Sequence, residues 1–131
     1  MVKVWTNGCF DILHRGHIEL FRYAHSLGDE LIVGVDSDEK VKNDKSDDRP
    51  INSLQDRMFM LQSIKYIDKV VPFDSTEELH NTIKWYQPDI MVIGSDWKGK
   101  EVIGEMFAGK LIFFDRIGDY STTKLSQHIN H

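Results

Sequence analysis

The sequence predicts an α/β fold: one domain over residues 1–131, built on a doubly wound parallel sheet of five strands. Three observations carry this. Five short, β-rich apolar runs alternate with stretches whose apolar residues recur at helical spacing. The runs are continuously apolar, as expected of strands covered on both faces. A chain of 131 residues provides one core and leaves no room for a second.

The elements follow in order. "VKVWT" (2–6) is the first strand. Residues 17–27 place Ile18, Phe21, Ala24 and Leu27 on one helical stripe, with Gly28 as a stop signal. "ELIVGV" (30–35) is the second strand, and the polar stretch 36–49, "DSDEKVKNDKSDDR", reads as a mobile loop. Residues 53–65 begin with Ser53 and Asp56 in a capping-box-like start and carry Leu54, Met58, Leu61 and Ile64 on one face. Strands at 68–73, 89–94 and 110–115 follow, with helices at 76–86 and 121–130. Right-handed crossovers between parallel strands then place any ligand beyond the strands' carboxyl ends, where the winding reverses.

Composition narrows the function. The chain is 40% hydrophobic and 28% charged, an ordinary globular balance, and its net charge of −5 argues against a broad nucleic-acid surface. The single cysteine, Cys9, excludes an internal disulfide and suits a reducing compartment. No apolar run approaches a membrane span, and "MVKVWTNG" lacks a signal-peptide core, so the expected location is the cytoplasm.

The chemistry concentrates after the first strand. "GCFDILHRGH" (8–17) brings His14 and His17 to the start of a helix, whose free N–H groups and partial positive charge favour an anion. Two imidazoles there can donate to phosphate oxygens. Gly8 allows close backbone approach, and Gly16 relieves crowding at the helix start. Six histidines in a small chain make chance pairs common, so the pair alone is weak. Cys9, His14 and His17 are also good zinc ligands, but no second Cys/His cluster supplies a fourth at familiar spacing, so no protein-held metal is assigned. "GSDWKGK" (94–100) nearly spells a P-loop, yet Glu101 stands where a Ser or Thr would bind magnesium, and the stretch follows the fourth strand rather than the first. Ser121, Thr122 and Thr123 are ordinary N-cap residues that, beside Arg116, also make a phosphate seat.

"GCFDILHRGH" resembles the HxGH signature of the nucleotidylyltransferase superfamily, whose fold is Rossmann-like. "GDELIVGVDSDEKVK", "RPINSLQDR", "IGSDWKGK" and "GDYSTTKL" resemble later blocks of that family along essentially the whole chain. The resemblance implies a catalytic set of His14, His17, Lys45 and Arg116. It implies that Gly8, Cys9, Phe10, Gly16, Asp96, Trp97, Tyr120, Ser121, Thr122 and Thr123 border the nucleotide. Asp11, Lys42, Arg57 and Lys65 fall on the acceptor and phosphate side. Magnesium is expected to arrive on the triphosphate, and a homodimer is expected. Small-molecule substrates are implied, with neither nucleic acid nor membrane as partner.

Two branches of the family compete. "GSDWKGK" and the spacing from Arg116 to "STTK" resemble glycerol-3-phosphate cytidylyltransferases, which would make CDP-glycerol and pyrophosphate from CTP and glycerol 3-phosphate. "TNGCFDILHRGH" and "RPINSLQDR" look more like heptose-1-phosphate adenylyltransferases, which would make ADP-heptose from ATP. Ile93-Gly94-Ser95 and Arg116 depart from the second pattern, and Lys65 and Tyr120 from the first. The balance of motifs favours cytidylyl transfer, with the heptose reaction as the alternative. A nucleotide-binding regulatory module without turnover is the rival from another class. In either reaction an ionised phosphate is already nucleophilic, so positioning and charge neutralisation suffice without a protein base.

Overall fold

The structure, a computed structural model, describes residues 1–44 and 48–115. Its strands are β1 (Lys3–Gly8), β2 (Glu30–Asp36), β3 (Lys69–Phe73), β4 (Ile90–Gly94) and β5 (Lys110–Phe114). They form one sheet in the order β3-β2-β1-β4-β5, with every pairing parallel. The helices are α1 (Arg15–Ser26), α2 (Asp38–Asp44), α3 (Leu54–Gln62) and α4 (Thr76–Tyr86). Single 3-10 turns at Ser95–Trp97 and Glu105–Phe107 complete the described elements. The expected doubly wound five-stranded sheet is therefore the observed one.

Strand periodicity divides the core in two. Val4, Leu31, Val33, Val35 and Val92 face Phe21 and Ala24 of α1 and Leu61 of α3. Their neighbours Trp5, Ile32, Met91 and Ile93 face the other way, against Leu79 and Ile83 of α4. Both faces are thus covered, which is why the strands read as continuous apolar runs. Gly34 is needed for this packing, since a Cβ there would lie 2.6 Å from the Trp5 ring.

The amino ends of the strands share a device that the sequence displays without announcing. Asp29, Asp68 and Asp89 each immediately precede a strand, and their carboxylates accept from Val2 N, Leu31 N and Lys3 N at 2.7, 2.7 and 2.8 Å. Each aspartate satisfies a backbone donor on or beside a neighbouring strand.

Helices α2 and α3 depart from expectation. Residues 38–44, expected within a loop, form α2. Ser37 Oγ accepts from Lys40 N at 3.2 Å, and Val41 is the single buried anchor. Lys40 pairs with Asp36 and Asp44, one turn away on either side. Helix α3 stops at Gln62 rather than at residue 65, because the chain turns through Ser63. The helix expected at 121–130 lies outside the described residues. Among the described residues no helix is long and apolar enough to cross a membrane.

Candidate active site

The sheet reverses its winding between β1 and β4. Here the pairing is short: Val4 and Trp5 match Ile90 and Met91, whereas β1 and β2 stay in register from Lys3↔Glu30 to Gly8↔Val35. The carboxyl ends of β1 and β4 therefore diverge, the position where open α/β sheets take ligands. Among the described residues nothing lies within 4 Å of where a side chain at Gly94, the end of β4, would stand.

On the β1 side the chain turns sharply into α1. Phe10 adopts a positive φ of 51° and buries its ring edge-on against Phe21 and His17. Gly8 makes room for that ring, because a Cβ there would meet the Phe10 Cζ at 3.1 Å. Thus Gly8 and Phe10 act together as a packing pair.

His14 is the N-cap of α1, so the helix begins two residues earlier than expected. Its Nδ1 accepts from Gly16 N at 3.0 Å, while His17 Nδ1 accepts from His14 N at 3.3 Å. The two histidines form a reciprocal capping box, with rings stacked 3.9 Å apart at 26°. A ring nitrogen that accepts a hydrogen bond carries no proton, so in this arrangement each imidazole keeps its hydrogen on Nε2. The cap thereby sets the tautomer and supplies two donors at one helix N-terminus.

Behind the turn lies a buried polar clamp. The Asp11 side chain is fully buried, and its carboxylate accepts from Arg49 Nε (3.0 Å), Ile51 N (2.8 Å) and Asn52 N (2.8 Å). Its own carbonyl accepts from Asn52 Nδ2 at 2.6 Å. Arg57, just 1% exposed, donates to the carbonyls of Asn52, Cys9 and Asp36 at 3.0, 2.9 and 2.7 Å and to Asp38 Oδ1 at 2.7 Å. One guanidinium thus ties together the β1 turn, the end of β2, the start of α2 and the start of α3.

Asp11 and Arg57, expected on the side of the acceptor's phosphate, both line the groove beside this turn, and their polar groups hold chain to chain. Lys42 is exposed on α2. Lys65, also expected on the phosphate side, follows α3 and precedes β3, so it lies at the amino ends of the strands, where it approaches the Tyr66 ring. Within one chain the structure does not bring it to the histidines. Asp96 and Trp97 form the turn directly after β4, and the Lys100 ammonium sits 5.8 Å from the Trp97 ring. Lys45, Arg116, Tyr120, Ser121, Thr122 and Thr123 lie outside the described residues. Arg49 and Asn52 were not singled out from the sequence, although "RPIN" sits inside a quoted motif.

A groove of about 430 Å³ opens beside the turn, lined by Phe10, Asp11, Leu13, Asn52, Phe59 and Met60 among others. Among the described residues no three His, Cys, Asp or Glu side chains are grouped so as to hold a metal ion.

Comparison with known proteins agrees with this fold. The profile of the family described as Cytidylyltransferase-like matches residues 5–125. "Bifunctional protein HldE" of a Nitratiruptor species is 47% identical over 126 residues, covering 96% of this chain and 27% of that protein. "Bifunctional protein HldE" of Campylobacter fetus is 45% identical with the same coverage. The chain therefore spans about a quarter of the length of these relatives. A crystal structure of a lipopolysaccharide core biosynthesis protein from Thermoplasma volcanium superposes with a TM-score of 0.69 at 28% identity, covering 92% of this chain and 99% of that one.

Proposed function

Because the chain belongs to the cytidylyltransferase-like family, we propose that it transfers an adenylyl group from ATP to a heptose 1-phosphate, giving ADP-heptose and pyrophosphate. The observation that carries the choice is the 45–47% identity to bifunctional HldE proteins across 96% of the chain. The resemblance of "RPINSLQDR" to heptose-branch enzymes supports the same reading, as does the similarity to a lipopolysaccharide core biosynthesis protein. Together they outweigh "GSDWKGK" and Arg116, on which the CTP and glycerol 3-phosphate reading rested.

In this reading an acceptor phosphate oxygen attacks the α-phosphorus. A new phosphoanhydride bond forms as the bond to the bridging oxygen of the β-phosphate breaks, and pyrophosphate carries that electron pair away. The chain contributes positioning and charge stabilisation. The Nε2–H groups of His14 and His17 donate to triphosphate oxygens at the α1 N-terminus, where donors matter most as negative charge builds. Lys45, Arg116 and the hydroxyls of 121–123 complete the proposed set. Magnesium arriving with the triphosphate would supply further charge neutralisation. The Asp11 carboxylate fits no role as its ligand, being occupied by chain donors. The base pocket is proposed beyond β4, beside Asp96 and Trp97.

Calorimetry with non-hydrolysable analogues tests the nucleotide half of the reading. The ATP analogue should bind at least about tenfold more tightly than the CTP analogue, because a pocket shaped for one base leaves its polar groups unpaired with the other. The opposite order would restore the cytidylyl reading.

A further inference from the structure

The Arg49 guanidinium is held on one side only. Its Nε donates to Asp11 Oδ2 at 3.0 Å, but Asp11 Oδ1 is occupied by Asn52 N, and Oδ2 also receives Ile51 N. An arginine facing a carboxylate commonly uses two parallel prongs, and here the carboxylate's second oxygen is committed elsewhere. Another prong, Nη2, is shielded from solvent and has no hydrogen-bond partner among the described residues. A charged donor denied both water and an acceptor is costly to maintain, and such groups call for a specific explanation. Asp11, to which the arginine is bonded, lines the groove beside the histidine-bearing turn, and Arg49 stands directly behind it.

We infer that Arg49 is a substrate-binding residue, whose Nη2 takes an anionic oxygen of the phosphorylated acceptor. This rests on the reading of the chain as a nucleotidyltransferase with a phosphorylated acceptor and adds the residue that holds that phosphate. The chemistry fits. A guanidinium anchored through Nε retains its charge and presents a donor of fixed direction, which suits a phosphate oxygen better than a mobile ammonium does. Asp11 then has a second task, orienting the fork while holding residues 51 and 52. Binding at Nη2 requires that this nitrogen become uncovered, since it is shielded here. Arg57 offers no equivalent, since it already makes four hydrogen bonds to the chain.

Arg49→Lys and Arg49→Gln provide the test, the first keeping the charge and losing the fork. In both, the KM for the sugar phosphate should rise tenfold or more while the KM for the nucleotide stays near wild type, whatever fall in melting temperature the weakened pair with Asp11 brings. An unchanged acceptor KM in both variants overturns the assignment. So does a rise in both KM values accompanied by a fall in melting temperature, the mark of a structural role. A second arm needs no turnover. With a non-hydrolysable nucleoside triphosphate bound, inorganic phosphate should bind Arg49→Lys at least tenfold more weakly than wild type. Equal affinity would count against Arg49 even if the wild-type enzyme proved to use another phosphorylated acceptor. If phosphate binding depends on Arg49 while wild type fails to turn over heptose 1-phosphate, the fault lies in the choice of acceptor.

Discussion

His14 and His17 cap the same helix end with their side chains: His14 Nδ1 accepts from the N–H of Gly16, and His17 Nδ1 accepts from the N–H of His14. Capping and the proposed catalysis therefore use the same rings through different nitrogens, and a substitution can separate them. His14→Asn keeps an acceptor suited to the N-cap while removing Nε2. It should retain the wild-type melting temperature and lose roughly a hundredfold in kcat. His14→Ala should lose the same activity and, in addition, about 1 kcal/mol of stability for the missing cap. Wild-type turnover in His14→Asn would show that Nε2 has no part in the reaction.

Arg57 gives the second prediction. Arg57→Lys leaves buried carbonyls of Cys9, Asp36 and Asn52 short of donors, which should cost about 3 kcal/mol. Thermal unfolding should show a fall on the order of 10 °C. The KM values of both substrates should rise together, because the clamp positions the β1 turn as well as the start of α3. A stable variant with only its acceptor KM raised would mean that the guanidinium touches substrate.

Metal removal gives the third. Activity should vanish with EDTA and return with magnesium, while elemental analysis finds no stoichiometric zinc. One tightly held zinc per chain would revive a site built on Cys9, His14 and His17.

Assembly gives the fourth. A small domain gains from burying further surface, and Phe59 and Met60 stand exposed at the rim of the groove. Light scattering at micromolar concentration should give twice the 15.2 kDa chain mass. A single-chain mass would remove the dimer.

The sheet was legible because continuous apolar runs with helical stripes between them permit few other arrangements. The histidine turn was legible because its residue types are unusual at a strand-to-helix connection. Helix α2 was not. With Val41 as its single buried residue it carries no amphipathic stripe, and its ion pairs look in sequence like a solvated charge run. The bonds of Arg57 were not legible either, for a different reason. An arginine beside an apolar stripe looks the same whether its partner is a phosphate or three main-chain carbonyls, and sequence does not display carbonyls. Lys65 could have been placed correctly. A helix that leads into a parallel strand must end at that strand's amino end, away from the ligand.

The account stands on which substrates the site converts. Pyrophosphate release should be measured with ATP or CTP, each paired with heptose 1-phosphate or glycerol 3-phosphate, and the product identified by its mass. The predicted result is efficient turnover with ATP and heptose 1-phosphate alone, giving ADP-heptose, with kcat/KM at least about a hundredfold above the other pairs. Efficient formation of CDP-glycerol, with no ADP-heptose from the same preparation, would contradict it.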